Sequence, residues 1–372
     1  MTSAALFAWL GALAFFVATL AAALLRRPWR DDRAPPPATI IMPLKGASPH
    51  LAQNLAALAA LERFSGEIIL AVADTRDPAY AVAAPLAAAH PGRILLMAGE
   101  AEEFFNPKLR NVAKAYRAAR HDAIVFLDDT VAVEVGLVGE LIGRLAAGAR
   151  AVTAAPLGGR AETLAAEVEA ATCNGYLLRI EAFFDLLGAA AGFGNAFAFR
   201  KSDLEAAGGL ARLAEGPCED NALSRALRGL GGRFALASRP AQRPIGARAW
   251  REIALRHLRW KNCTKCHDPA AFLLEVWIGG LVFNALGAVA LAQLLGVAWW
   301  AGLGLSAAIW YGGELFLNLA AGWPMTWRSP LAWVLRDLAH PALTLAAAFT
   351  HELEWRGTRI AMPWRWPGRA RR

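Results

Sequence analysis

Two strand-like runs end in carboxylates. Residues 67–73 (EIILAVA) lead straight into Asp74-Thr75-Arg76-Asp77-Pro78, and residues 123–127 (AIVFL) into Asp128-Asp129-Thr130. Carboxylates gathered on one rim of a sheet suit a hard divalent cation, and such a cation suits a diphosphate. Either motif alone is explained as turn chemistry; the pair together points to a site. A third acidic pair, Glu219-Asp220, opens the helical segment 219–230, where negative charge also favours the helix dipole. Asn106-Pro107-Lys108-Leu109-Arg110-Asn111 does the reverse and sets cations at a helix start, a placement that lowers local stability and serves either a ligand or a solvated face. Arg256-His257-Leu258-Arg259-Trp260 stacks two guanidinium groups at i, i+3 beside an indole. That arrangement can clamp a diphosphate, and it can equally anchor a helix at a membrane surface.

Elements must bring these residues together. Short apolar runs at 38–44, 67–73, 93–98, 123–127 and 150–156 alternate with Ala/Leu-rich stretches such as 48–62 and 134–148. The alternation predicts an α/β domain with a mostly parallel sheet covered on both faces. Ligands of such sheets bind beyond the carboxyl ends of the strands, where the acidic residues fall. Segment 161–193, with Asn174, Phe183, Phe184 and Phe193, reads as helical and apolar, either core or a surface lying on a bilayer.

The 372 residues are 56% hydrophobic, yet Lys+Arg 39 exceed Asp+Glu 31 for a net charge of +8. This composition excludes a disordered chain, and four Cys exclude a disulfide scaffold. The apolar excess is local. Residues 4–25 carry no charge, and 22 residues at 1.5 Å make about 33 Å, enough to cross a bilayer. Arg26, Arg27, Arg30 and Arg33 follow this run rather than precede it, which argues against a cleaved signal and sets the following domain in the cytosol. A second apolar block over 271–349 predicts a hairpin of spans, 271–295 and 301–321, turning at 296–300. Segment 330–350 holds Arg336, Asp337, His340 and Pro341 and is open between spanning, re-entering and lying in the interface. The tail (Arg356, Arg359, Arg365, Arg369, Arg371, Arg372) is basic. Arg-rich membrane borders account for the net charge, and no nucleic-acid motif is present.

Cys263-Thr264-Lys265-Cys266-His267 matches the haem-attachment pattern, but cytosolic placement leaves no haem expected, and a zinc site would lack an evident fourth ligand. The expectation is reduced thiols on an interfacial helix, with Cys173 and Cys218 structural and no disulfide.

In this order along one chain, Val72 to Ala79, Asn106-Pro107-Lys108, Phe126-Leu127-Asp128-Asp129, Gly194 to Lys201 (GNAFAFRK), Ala207-Gly208-Gly209-Leu210, Glu219-Asp220, Arg256-x-x-Arg259-Trp260 and Trp355-Arg356-Gly357 resemble the ceramide glucosyltransferase family. These are membrane-bound, inverting glycosyltransferases of GT-A fold, with hopanoid-glycosylating bacterial relatives. The resemblance implies a UDP-sugar donor, a membrane-lipid acceptor and Mg²⁺ or Mn²⁺. It implies that Asp74 binds the nucleotide base, that Lys108 neutralises phosphate and that Asp128 or Asp129 holds the metal. Asp220 becomes the general base, and Arg256, Arg259 and Trp260 close over the diphosphate. The sugar transferred is glucose with ceramide as acceptor, or another sugar such as N-acetylglucosamine with a hopanoid or other lipid alcohol. A non-catalytic lipid- or nucleotide-binding relative is the rival class, and it has no reason to keep the whole set. The implied division is a transmembrane helix over 1–25, a basic linker over 26–37, a Rossmann-like GT-A domain over 38–240, a closing-motif and interfacial segment over 241–270, two to three C-terminal transmembrane helices within 271–350 and a basic tail over 351–372, in a multi-pass protein of a bacterial inner membrane.

Overall fold

The computed structural model describes residues 2–31, 34–48, 50–61, 64–101, 103–190, 192–355 and 358–364. Arg33, Arg356, Gly357, Arg365, Arg369, Arg371 and Arg372 lie outside the described residues. Nine strands serve the middle of the chain: β1 (Ala38–Leu44), β2 (Gly66–Val72), β3 (Ile94–Ala98), β4 (Ala123–Leu127), β5 (Ala151–Thr153), β6 (Pro156–Ala161), β7 (Ala196–Arg200), β8 (Phe234–Leu236) and β9 (Ala241–Gly246). Seven form the main sheet, in the order β3-β2-β1-β4-β7-β5-β8, while β6 and β9 pair separately. β1 lies parallel to both β2 and β4, β2 to β3 and β5 to β8; β7 alone runs antiparallel to its neighbours. The expected strand over 150–156 is broken. Pro156 has no N–H to give a ladder, and it stands where the chain leaves the main sheet for the pair with β9.

Strand side chains alternate between two buried faces, as a sheet covered on both sides requires. Ile40, Met42, Ile68, Leu70, Val125 and Leu127 join one core, which is closed by α2 (Leu51–Ala59), α3 (Pro78–Ala89) and, further along the chain, Val135–Ala146. Ile41, Ile69, Ile124, Phe126, Phe197 and Phe199 join the other with α4 (Pro107–Ala118). The chain runs outward from β1 to β3 and then returns on the other side of β1 as β4. A crevice therefore opens between the ends of β1 and β4, the place where sheets of this kind bind ligands.

The remaining helices are α1 (Thr2–Leu24), α5 (Val135–Ala146), α6 (Leu164–Ala171), α7 (Arg179–Leu186) after a π-helix over Thr172–Leu178, α8 (Lys201–Ala206), α9 (Leu210–Leu213), α10 (Glu219–Arg228), α11 (Trp250–His267), α12 (Pro269–Leu274), α13 (Gly280–Leu295), α14 (Trp299–Ala321) and α15 (Ser329–Phe349). Among the described residues α1 is long and apolar enough to cross a membrane, with mean hydropathy 2.1 over Ala4–Leu24. Pro269–Ile278 and Gly280–Leu295 qualify only together, bent by 47°. α14 and α15 fall short on apolarity. Polar residues of these two helices meet one another: Arg336 bonds Glu314 at 2.6 Å and Asp337 at 2.8 Å, and the Trp310 indole donates to Asp337 at 2.9 Å. Arg179 fastens α7 to α1 by donating to Thr19 at 2.6 Å, with its guanidinium 4.9 Å from the Phe16 ring.

The cysteine expectation is also corrected. Cys218 and Cys263 form a disulfide across Cα atoms 6.1 Å apart, because the start of α10 abuts the last turns of α11. Cys173 and Cys266 are free and buried.

Glu314 is fully buried, and a buried charge stripped of its partner is strongly destabilising. Arg336→Met is expected to lower stability by about 3–5 kcal/mol, read as a fall in the Tm of detergent-purified protein, and adding Glu314→Gln should recover part of the loss.

Candidate active site

The chain enters the crevice at three points, and a lysine joins them. Asn106 caps α4, its Oδ1 accepting from the backbone N–H groups of Lys108 at 2.8 Å and Leu109 at 3.2 Å. Lys108 thus sits in the first turn, where the dipole disfavours a cation. Its ammonium is held instead by carboxylates, Asp128 Oδ1 at 2.9 Å and Glu219 Oε1 at 2.7 Å. Asp128 follows β4, and its N–H donates to the Asn195 carbonyl at 2.9 Å. Glu219 opens α10 and also accepts from Asn106 Nδ2 at 3.3 Å.

Asp220, the next residue, faces the segment that leads into β7. Its Oδ2 accepts from the Gly194 N–H at 2.8 Å, and its Oδ1 from the Asn221 N–H at 2.8 Å. Space at Gly194 is tight: a Cβ there would lie 2.9 Å from Asp220 Oδ2 and 3.5 Å from Lys108 Nζ, so one of those side chains would have to shift. The two neighbouring carboxylates are driven apart in acidity. Burial, then the Glu219 charge, pushes Asp220 up to about 6. Burial would raise Glu219 as well, but the Lys108 ammonium outweighs it and holds that group below the usual carboxylate range. Burial alone would lower Lys108, but Asp128 and Glu219 outweigh it and raise its pKa. Carboxylates whose environments split their acidities are how one site provides both a fixed charge and a proton acceptor.

The other sequence candidates divide. Asp74, at the end of β2, is half-exposed and gripped by Arg76 through Nε at 2.9 Å and Nη2 at 2.5 Å. Those hydrogen bonds lower its carboxyl to about 2. Asp77 does ordinary turn work, capping α3 and accepting from the Gly46 N–H. Asp129 is buried, and its backbone carbonyl accepts from Asn54 of α2; the carboxylate after β4 that bonds Lys108 is that of Asp128.

Arg256 and Trp260, both on α11, belong to a second cluster. Arg256 pairs with Glu169 of α6 at 2.9 Å, and Arg243 of β9 reaches the same carboxylate at 3.3 Å. The Arg243 guanidinium lies 5.8 Å from the Trp260 ring, which stacks on His257 at 5.0 Å. Arg259 stands three residues after Arg256 on the same helix. The disulfide from Cys218 to Cys263 ties this helix to the residue just before Glu219, and His267 packs so tightly on Gly216 that a Cβ there would lie 2.1 Å from its ring. Glu169 and Arg243 escaped the sequence reading. The available signal was that Glu167 and Glu169 are the sole charges in the apolar stretch 163–178, and a buried carboxylate demands a cation.

A mostly parallel sheet with helices on both faces and a lysine-bridged carboxylate cluster at its strand ends is an arrangement of GT-A-like fold. The chain belongs to glycosyl transferase family 21, whose pattern matches residues 6–366, and it is a hexosyltransferase. It is 22% identical over 340 residues to ceramide glucosyltransferase 1 of Caenorhabditis elegans, covering 90% of this chain and 73% of that protein. Over 124 residues it is 32% identical to a ceramide glucosyltransferase of Gibberella zeae, covering 30% of this chain and 23% of the other. Its fold resembles the mannosyltransferase PcManGT from Pyrobaculum calidifontis, a complex with GDP-Man and Mn²⁺, with TM-score 0.52 and 17% identity over 91% of this chain and 97% of that one.

Gly194→Ala must displace Asp220. Since a misplacement of about 1 Å in a reacting group can cost on the order of a hundredfold in rate, the variant is expected to lose at least tenfold of transfer activity with Tm nearly unchanged, measured side by side on purified protein.

Proposed function

We propose that this enzyme transfers glucose from UDP-glucose to the hydroxyl of a membrane lipid, with ceramide as the acceptor, and inverts the anomeric centre. What carries the reading is the placement of Asp220: a proton acceptor beside, but separate from, the Lys108 cluster, in a chain whose first helix can cross a membrane. The relatives named ceramide glucosyltransferase support glucose and ceramide over other sugars and lipid alcohols.

Each residue then has a task. Asp220 accepts the proton of the acceptor hydroxyl as its oxygen attacks the anomeric carbon, work that suits a carboxylate with a pKa near neutrality. Lys108 meets charge developing on the departing diphosphate, as do Arg256 and Arg259, with Trp260 closing over them. Asp74, half-exposed at the rim, binds the nucleotide base, releasing Arg76 as it does so. Among the described residues no three His, Cys, Asp or Glu side chains stand close enough to hold a metal unaided. Asp128 nonetheless fits a Mg²⁺ or Mn²⁺ ion, since it is a hard oxygen donor with 29% of its side chain exposed, and such ions take one or two carboxylates and complete their shell from substrate phosphates. When bound, the ion supplies positive charge to the diphosphate. Arg26, Arg27 and Arg30 after α1 favour a cytosolic catalytic domain.

Membranes containing the protein are expected to transfer labelled glucose from UDP-glucose to ceramide in the presence of Mg²⁺ or Mn²⁺, and to lose that activity on complete chelation; turnover that survives chelation argues against Asp128 as a metal ligand. Asp220→Asn should abolish transfer while the protein still folds, because a carboxylate raised to about 6 is disfavoured in its charged form by about 3 kcal/mol. The base must be ionised, so the rate should rise with pH through about 6, where Glu219 and Lys108 are the charges that face Asp220. A rate that is flat across this range, or full activity in Asp220→Asn, contradicts the assignment.

A further inference from the structure

The proposed reading sets Arg256 and Trp260 over the donor diphosphate, and the present inference rests on it. A long arginine side chain is effective against a leaving group only if its guanidinium is fixed before the reaction. Glu169 does the fixing. Its side chain is completely buried in α6, yet it bonds Arg256 at 2.9 Å and Arg243 at 3.3 Å. Arg243 in turn lies over Trp260, whose other contact is the stacked His257. Through two arginines, one carboxylate thus sets both the first residue and the last residue of the Arg256–Trp260 motif.

Two features mark this cluster as more than packing. A buried ion trio is weak evidence for stability, since apolar residues of similar volume serve a core at least as well. Its charges also do not balance: two guanidinium groups against one carboxylate leave a surplus of +1. The His257 Nε2 atom is buried without a hydrogen-bond partner, so the cluster keeps one polar atom that the protein itself does not use. An anion is what a surplus-positive arginine pair is suited to meet, and Arg256 keeps 22% of its side chain exposed to do so.

We propose that Glu169 and Arg243 are positioning residues for the donor diphosphate: Glu169 orients Arg256, Arg243 orients Trp260, and the surplus charge of the trio stabilises the departing nucleoside diphosphate.

The test uses the full-length protein in membranes. Glu169→Gln is expected to lower kcat/KM for the UDP-sugar by roughly a hundredfold and to weaken inhibition by UDP about tenfold, the scale set by loss of one preorganised group, with the acceptor KM unchanged. Because this variant leaves two adjacent cations unneutralised, one of them buried, Glu169→Gln/Arg243→Met is made in parallel; it returns the trio to +1. Under the proposal the double variant regains wild-type Tm but stays at least tenfold below wild type in kcat/KM for the donor, and Glu169→Asp recovers part of the activity. If the double variant regains wild-type kcat/KM and UDP inhibition along with its Tm, the cluster is structural and the proposal falls. If the acceptor KM rather than the donor parameters moves, it falls as well. Wild-type membranes that transfer no sugar from any UDP-sugar would overturn the parent reading, and this one with it.

Discussion

One ammonium group holds the catalytic rim together. Without Lys108, the carboxylates of Asp128, Glu219 and Asp220 would meet at one end of the sheet with no cation of their own. Lys108 neutralises Asp128 and Glu219 from the first turn of α4, where the helix dipole opposes it. That unfavourable placement is stable because the attraction of two close carboxylates exceeds a dipole term of about 0.3–1 kcal/mol. The same arrangement splits the acidic pair: Glu219, in contact with the lysine, stays charged, whereas Asp220, one residue on, feels burial and its neighbour's charge and becomes the stronger base. The carboxylate proposed as proton acceptor thus owes its acidity to its burial and to where the lysine stands.

The helical bundle and the sheet domain are mechanically continuous. α6 carries Glu169 to the arginine cluster; the π-helix and α7 that follow carry Arg179 to α1. Arg336 of α15 donates to the Ala171 carbonyl at 3.2 Å, at the end of α6. α11 joins the same assembly through the Cys218–Cys263 bridge. The Asp220 site and the arginine cluster are therefore both tied to the helical bundle.

Part of the fold is legible in short stretches of the sequence. The alternation of β1, β2, β3 and β4 with helices, the carboxylates at strand ends and the i, i+3 arginines of α11 each depend on a few adjacent residues. What the sequence did not disclose depends on distant pairing. Arg243 meets Glu169 because β9 pairs with β6, and nothing near either residue reports that pairing. Cys218 and Cys263 are 45 residues apart and meet through the packing of two helix ends. The polar content of α14 and α15 was visible, but whether Glu314 and Arg336 faced lipid or each other was a question of helix rotation, settled by a buried 2.6 Å bond.

If Asp220 deprotonates a lipid hydroxyl for attack on a UDP-linked glucose, the glycolipid product must be lost with its carboxylate. The most direct measurement is mass spectrometry of total lipids from cells that produce the protein, cells that produce Asp220→Asn at equal abundance, and cells that lack it. The account predicts a hexosylated ceramide in the first alone. A glycolipid equally abundant with Asp220→Asn, or a lipid profile that does not change with the protein at all, would contradict it.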